Sequence, residues 1–249
     1  LPGHGLALVG DEPPTLESRA REVVPGVVVT GWSQRARPEH RPQVATVLDD
    51  GCYQFHWREE PVRLRMPGRH SVENSLLALA VADVLGVPAA EAARRVGTAE
   101  PRGMRCEVRT LGSLTLVVDC YNANPQSLRA ALDLLATIHT SGARVAVLGS
   151  MLELGEESGI LHERVLAEAL TFPLDYVVAT GLFADAAQRM KPVEGGPELV
   201  LAPGLDQVRD VLLQGLGGNE VVLLKASRGV AMEALIPSLE ERFGPGRAA

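Results

Sequence analysis

The 249-residue chain is long enough for one large domain or two ordinary ones, which excludes a peptide-sized or fibrous protein. Hydrophobic residues make up 46% of the chain, charged residues make up 22%, and no apolar run reaches the ~18 residues of a membrane span, so a soluble protein without such a span is predicted. The 24 basic and 31 acidic residues give a formal charge of −7, which disfavours nucleic acid or an anionic membrane as the main partner.

The first hundred residues predict two kinds of strand and a pair of helices. Short apolar runs predict parallel strands at 6–9 and 27–30 and antiparallel strands at 45–48, 52–57 and 62–65. Asp49-Asp50-Gly51 is a turn signal between the first two antiparallel strands. Helices are predicted over 72–85, where Gly86 and Pro88 end the first, and over about 89–96.

From residue 114 onward, short apolar runs alternate with stretches of helical period. The runs that predict buried strands are 114–119, 144–148, 176–179, 199–201 and 221–224. This alternation predicts a mainly parallel sheet with helices on both faces. Asn124 and Pro125 suit the N-cap and first position of the helix after the first of these strands. The segment 100–104 is a candidate linker, so we place two domains at 1–102 and 103–249.

Ligands of open α/β sheets bind beyond the carboxyl ends of the strands, so the loops there are candidate sites. Asp119, Tyr121 and Asn122 follow the first strand of the parallel sheet, although an ordinary capping loop would also account for this segment. After the fifth strand come Lys225, one of only two lysines in the chain, and then Ser227 and Arg228. This combination at a predicted helix start is typical of a site for a carboxylate or phosphate.

Two further segments allow both a binding and a structural interpretation. In the loop after the second strand, Glu153 and His162 are candidate ligand contacts, but a lone histidine on a helix is more often packed or solvated. Earlier in the chain, His70 and Asn74 are four residues apart and project from one side of a helical turn, whereas Ser71 is a candidate N-cap. The G-x-G-x-x-G, P-loop and G-x-S-x-G motifs are absent from the sequence.

Five segments in order resemble motifs of the Mur ligase family. They are GRHSVENSLLALAVADVLGV at 68–87, PRGMRCE at 101–107, VVDCYNANPQS at 117–127, LGSMLELGEES at 148–158 and LLKASRGVAME at 223–233. The resemblance implies a fold in two parts: a C-terminal Rossmann-like domain with a mainly parallel sheet, preceded by the partial end of a P-loop-type ATPase domain that carries a small antiparallel sheet. Ser71, Ser150 and Ala226 stand where the family motifs have Asn, Asp and Gly.

The resemblance also implies an activity and its site. Family members use ATP and Mg²⁺ to convert a carboxylate into an acyl phosphate, which an amine then attacks. Residues implied to contact the nucleotide are His70, Asn74, Arg105 and Asp119. Residues implied to contact the incoming unit are Tyr121, Asn122, Lys225, Ser227 and Arg228. The Tyr-Asn-Ala-Asn-Pro run resembles the member that adds D-alanyl-D-alanine to UDP-N-acetylmuramoyl-tripeptide, so these two molecules are the expected substrates.

The phosphate loop and metal ligands of the family would precede Leu1, so we expect a fragment that is inactive alone and whose own residues hold no metal. The alternatives are a non-catalytic module that binds a nucleotide or dipeptide, and a Mur ligase that adds another amino acid. A nicotinamide-dependent enzyme is disfavoured because the glycine fingerprint is missing. The three cysteines form no C-x-x-C pair, which fits a cytoplasmic protein, and a monomer is expected.

Overall fold

A computed structural model describes residues 5–101, 103–190 and 194–248. The chain forms two compact units, Leu1–Glu100 and Pro101–Ala249. Leu1, Lys191 and Arg102 of the predicted linker lie outside the described residues. No helix within the described ranges is both long enough and apolar enough to cross a bilayer.

The first unit contains two separate small sheets and three helices. In chain order its elements are β1 (Leu6–Gly10), α1 (Thr15–Val23), β2 (Gly26–Thr30), β3 (Gln43–Val47), β4 (Tyr53–Trp57), β5 (Glu60–Arg63), α2 (Arg69–Val84) and α3 (Ala89–Val96). β1 and β2 pair in parallel, and β3, β4 and β5 form an antiparallel sheet, as the sequence predicts. The core is formed largely by β4, β5 and α2, with Phe55, Trp57, Leu76 and Leu79 at its centre.

Two features of this unit differ from the sequence prediction. The third antiparallel strand begins at Glu60 instead of Val62, because Arg58 and Glu59 form a tight hairpin turn with φ of 49° and 69°. Left-handed residues in such turns are usually Gly, Asn or Asp, so this pair carries no turn signal. Helix α1 was not predicted, since it buries none of its residues and therefore has no apolar stripe in the sequence.

The second unit is an α/β domain built on one sheet. Its elements are β6 (Glu107–Leu111), β7 (Leu114–Asp119), α4 (Pro125–Thr137), β8 (Arg144–Leu148), α5 (Ser158–Ala169), β9 (Tyr176–Ala179), α6 (Leu182–Arg189), β10 (Glu198–Leu201), α7 (Leu205–Gly215), β11 (Val221–Lys225), α8 (Ile236–Phe243) and β12 (Arg247–Ala248). The sheet order is β10-β9-β8-β11-β7-β6-β12, with parallel pairing from β10 to β7. The predicted fold class, with a mainly parallel sheet and a small antiparallel one, is confirmed.

Alternate residues of the central strands pack into two cores on opposite faces of this sheet. Val117 faces the core that contains apolar residues of α4, α5 and α6. Its neighbours Leu116 and Val118 face the other core, with residues of α7 and α8. Burial on both faces explains why these strands are continuous apolar runs in the sequence. Strand β6 was not predicted, because its Glu-Val-Arg-Thr-Leu sequence is only partly buried and pairs antiparallel with β7.

The N-terminus of α4 is closed by a capping box. The side-chain oxygen of Asn124 accepts a hydrogen bond from the backbone N–H of Ser127 at 2.8 Å, and the Ser127 hydroxyl accepts one from the N–H of Asn124 at 3.1 Å. Pro125 occupies the first helical position. The predicted N-cap is therefore confirmed, and these contacts give Asn124 a structural role.

Replacing Asn124 with alanine is expected to lower the free energy of unfolding by about 1 kcal/mol, because an amide of the first turn loses its acceptor. Urea denaturation followed by circular dichroism measures this change. Gln126→Ala is the matched control, since Gln126 is an exposed residue of the same turn. Equal losses in the two variants would show that the capping box contributes nothing.

Candidate functional site

The candidate site lies where β7, β8, β9 and β11 of the second unit end. Lys225 is the last residue of β11, and the strand register places it beside Asp119 of β7 on one side and Leu148 of β8 on the other. Because all four strands are parallel, their following loops meet at this edge. Seven of the nine predicted site residues lie at this edge. They are Asp119, Tyr121 and Asn122 at the end of β7, Lys225, Ser227 and Arg228 at the end of β11, and Arg105, which contacts Tyr121.

Asp119 and Lys225 form a buried ion pair at the base of this edge. Nζ of Lys225 lies 2.6 Å from Oδ2 of Asp119 and donates a second hydrogen bond to the backbone oxygen of Asn122 at 2.8 Å. The two side chains are 1% and 9% exposed. The lysine predicted to contact an incoming substrate thus binds a residue predicted to contact the nucleotide. It also fixes the loop that carries Tyr121 and Asn122.

Two thiols flank the ion pair. Burial, together with the negative charge of Asp119, raises the pKa of Cys106 and of Cys120 to about 12. Cys120 Sγ donates to the backbone oxygen of Leu224 at 3.3 Å. A thiol with such a pKa stays protonated near neutral pH, so these cysteines are packing residues and not nucleophiles.

Ser227 and Ser150 connect the loops that follow four different strands. The Ser227 hydroxyl accepts a hydrogen bond from the N–H of Leu152 at 2.9 Å and donates to the carbonyl of Ala123 at 3.4 Å. The Ser227 N–H donates to the carbonyl of Ser150, whose own hydroxyl accepts from the N–H of Leu182 at 2.9 Å. Sequence reasoning noted Ser150 only as a departure from the family motif. Its position between the β8 and β9 loops gives the small hydroxyl a structural role.

The outer layer of the site is an exposed aromatic residue between two cations. The guanidinium carbon of Arg105 lies 4.0 Å from the centre of the Tyr121 ring, and that of Arg228 lies 6.0 Å from it. Tyr121 is 41% exposed, and both arginines are exposed. Three residues predicted from separate motifs therefore meet, and they offer two guanidinium groups to an anionic ligand.

His162 is a buried, hydrogen-bonded residue of the fold, which is the structural alternative to ligand binding. Its Nε2 accepts the N–H of Met151 at 2.9 Å, so Nδ1 carries the proton and donates to the carbonyl of Ser158 at 2.6 Å. The ring is fully buried and packs edge-on against Phe183. Burial lowers its pKa, which favours the neutral form that makes both bonds. Glu153 is exposed in the same loop.

The remaining predicted residues lie in the first unit, in the first turns of α2. His70 is half-buried and Asn74, one turn further along, is exposed. Ser71 is not the N-cap, because Gly68 occupies that position with a φ of 89° and the Ser71 hydroxyl donates to the carbonyl of Pro67 at 2.7 Å. The nucleotide contacts expected of His70, Asn74, Arg105 and Asp119 remain predictions, as do the substrate contacts of the other five residues.

The second unit is an α/β domain with polar and cationic side chains at the carboxyl edge of its sheet, the edge at which such domains bind their ligands. The family model "Mur ligase, glutamate ligase domain" matches residues 104–228, just over half of the chain. The chain belongs to the Mur ligase family.

Relatives with curated names share one description. A UDP-N-acetylmuramoyl-tripeptide–D-alanyl-D-alanine ligase from Treponema pallidum is 35% identical over 204 aligned positions, which cover 78% of this chain and 43% of that protein. A ligase of the same name from Bacillus subtilis is 30% identical over 177 positions, covering 70% of this chain and 38% of that protein. The chain thus spans about two fifths of the length of these relatives.

Solved structures of MurF proteins resemble this chain. MurF from Acinetobacter baumannii matches with a TM-score of 0.79 and 27% identity, over 97% of this chain and 52% of that one. MurF from Thermotoga maritima, solved in complex with ADP, matches with a TM-score of 0.77 over 97% of this chain and 54% of that one. At 22% identity the second match is evidence for the fold alone.

Proposed function

We propose that this chain is the C-terminal part of a cytoplasmic ATP-dependent ligase that joins D-alanyl-D-alanine to UDP-N-acetylmuramoyl-tripeptide. The observation that carries the proposal is the Asp119–Asn122 segment at the carboxyl edge of the sheet. Its exposed Tyr-Asn pair is supported from below by the buried ion pair between Asp119 and Lys225. The relatives that carry the D-alanyl-D-alanine ligase name support this member over one that adds a single amino acid.

The proposed roles follow from where each group lies. Arg105 and Arg228 present exposed guanidinium groups beside Tyr121, which suits the carboxylate of a dipeptide or the phosphate of an activated acyl group. Asn122 is exposed, with its backbone oxygen bound to Lys225. Asp119 and Lys225 act beneath this surface by holding the loop in place, because each is almost completely buried. These two guanidinium groups would stabilise the negative charge that develops as the amine attacks the acyl phosphate.

Among the described residues, the cationic layer fits a phosphate-bearing substrate better than it fits a metal. ATP supplies the phosphoryl group that activates the acceptor carboxylate, and Arg105 is the residue of the second unit that we assign to its phosphates. For His70 and Asn74 of the first unit we keep the nucleotide-binding role that the family resemblance implies. No group of three His, Cys, Asp or Glu side chains that could hold a metal occurs within residues 5–101, 103–190 and 194–248.

A chimera tests the proposed function. The Bacillus subtilis ligase, with the region that this chain matches replaced by this chain, is expected to form the amide from D-alanyl-D-alanine, UDP-N-acetylmuramoyl-tripeptide and ATP. This chain alone is expected to form no product. Single amino acids offered in place of the dipeptide distinguish the other Mur ligases. Turnover only with a single amino acid would exclude the proposed specificity, and binding of the dipeptide without turnover by the chimera would favour a binding module.

Arg228→Ala in the chimera is expected to lower kcat/KM for the dipeptide about ten-fold, a loss of about 1.4 kcal/mol of transition-state stabilisation, because one of the two exposed cations is removed. Arg164→Ala is the matched control, since Arg164 is an exposed arginine of α5. Steady-state kinetics with varied dipeptide measure both. Equal kcat/KM values for the two variants would contradict the assignment of Arg228.

A further inference from the structure

A second candidate site lies in the first unit and is lined by none of the residues to which the proposed function assigns a role. A cavity of about 370 Å³ opens beside β2 and is lined by that strand, Arg21, Arg35, Arg37 and His40. This volume is within the range of small-molecule sites. Among the described residues, three arginines line the cavity and no aspartate or glutamate does, so this lining is strongly cationic.

The three arginines differ in whether a glutamate pairs with them. Arg21 pairs with Glu17 at 2.7 Å, and Arg35 pairs with Glu12 at 3.1 Å and also donates to the backbone oxygen of Asp11. Arg37 is exposed and makes no ion pair within the part of the chain that the structure describes. One guanidinium at the cavity is therefore available to a planar oxyanion.

His40 contributes a ring to the wall of the cavity. The residue is only 7% exposed, and its ring packs edge-on against Trp57 with the ring centres 5.9 Å apart. Its Nδ1 is buried and has no hydrogen-bond partner among the described residues. His40 lines the cavity, but this nitrogen is itself inaccessible to solvent, so the ring forms part of the wall and offers no hydrogen bond to a ligand.

We propose that this cavity binds a small anionic molecule through a phosphate or carboxylate group, with Arg37 contributing the charge. Arg21 and Arg35, already held by Glu17 and Glu12, fix the rim of the site. The proposal is independent of the ligase function, because the proposed function assigns a role to none of these residues.

Titrations of the full chain with inorganic phosphate and with acetate, at constant ionic strength, test the proposal. The ring signals of His40 in a proton–carbon NMR spectrum are expected to shift to saturation with at least one of the two anions. The anion that gives the tighter binding identifies the class of ligand. Absence of a saturable shift with both anions would overturn the proposal.

One variant and a control locate the binding. Arg37→Gln is expected to weaken binding about ten-fold by calorimetry. Arg94→Gln removes an exposed arginine of α3 and is expected to leave the affinity unchanged. Equal weakening by Arg37→Gln and Arg94→Gln would show only a general charge effect and would also overturn the proposal.

Discussion

Lys225→Ala is expected to lower the free energy of unfolding of the second unit by about 3–5 kcal/mol, because it leaves the Asp119 carboxylate buried without its counter-charge. Both tryptophans, Trp32 and Trp57, lie in the first unit, so their fluorescence reports that unit. Hydrogen exchange of the β7 and β11 amides reports the stability of the second unit. Faster exchange in these strands, with an unchanged tryptophan transition, is the expected result.

A double variant separates the loss of an ion pair from the creation of an unpaired charge. Lys225→Met combined with Asp119→Leu replaces the pair with apolar groups and is expected to recover most of the stability, since such replacements are often neutral. In the chimera the same double variant is expected to remain folded but to lose at least about ten-fold in kcat/KM, because Asn122 is no longer held. Wild-type kinetics in the double variant would refute the positioning role of the pair.

His162→Ala is expected to destabilise the second unit by about 3 kcal/mol. The substitution leaves a cavity beside Phe183 and removes the acceptor of the buried Met151 N–H. Hydrogen exchange of the segment around Met151 measures the effect. Phe172→Ala, at a partly buried position beside the same core, is the comparison for apolar volume alone. Equal effects of the two variants would mean that the hydrogen bonds of His162 contribute nothing.

His162 also predicts how stability depends on pH. Its pKa in the folded chain lies below the ordinary value of 6.5 because the ring is buried. Between pH 6.5 and that lower value, the unfolded chain binds a proton that the folded chain does not. The contribution of neutral His162 to the free energy of unfolding is therefore complete above pH 6.5 and declines as the pH falls toward the pKa of the folded chain. The exchange rates of the second unit are expected to show this dependence in the wild type and to lose it in His162→Ala.

The sequence predicts the second unit well because its central strands are buried on both faces. The runs at 114–119, 144–148 and 176–179 coincide with β7, β8 and β9. Periodicity could not reveal α1, which buries nothing, or the turn at Arg58 and Glu59, which lacks the usual residues. In each case the missing information is the tertiary environment that outweighs a weak local preference.

The candidate site was predictable as a set of loops but not as a set of contacts. Lys225 was conspicuous because lysine is rare in this chain, yet its partner Asp119 lies 106 residues away and is brought beside it only by strand register. Ser227 was expected at a ligand, whereas its hydroxyl binds Leu152 and Ala123. Spacing in the sequence gives no indication of which hydroxyls the fold itself uses.

The contacts of Ser227 and Ser150 have an evolutionary consequence. Both serines reach the neighbouring loops through main-chain groups: the N–H of Leu152, the carbonyl of Ala123 and the N–H of Leu182. The side chains of Leu152 and Leu182 are exposed, so they can be substituted without breaking the connections. The scaffold of this edge can stay fixed while the residues that face a ligand diversify, so a new substrate preference can arise by substitution without redesign of the loops.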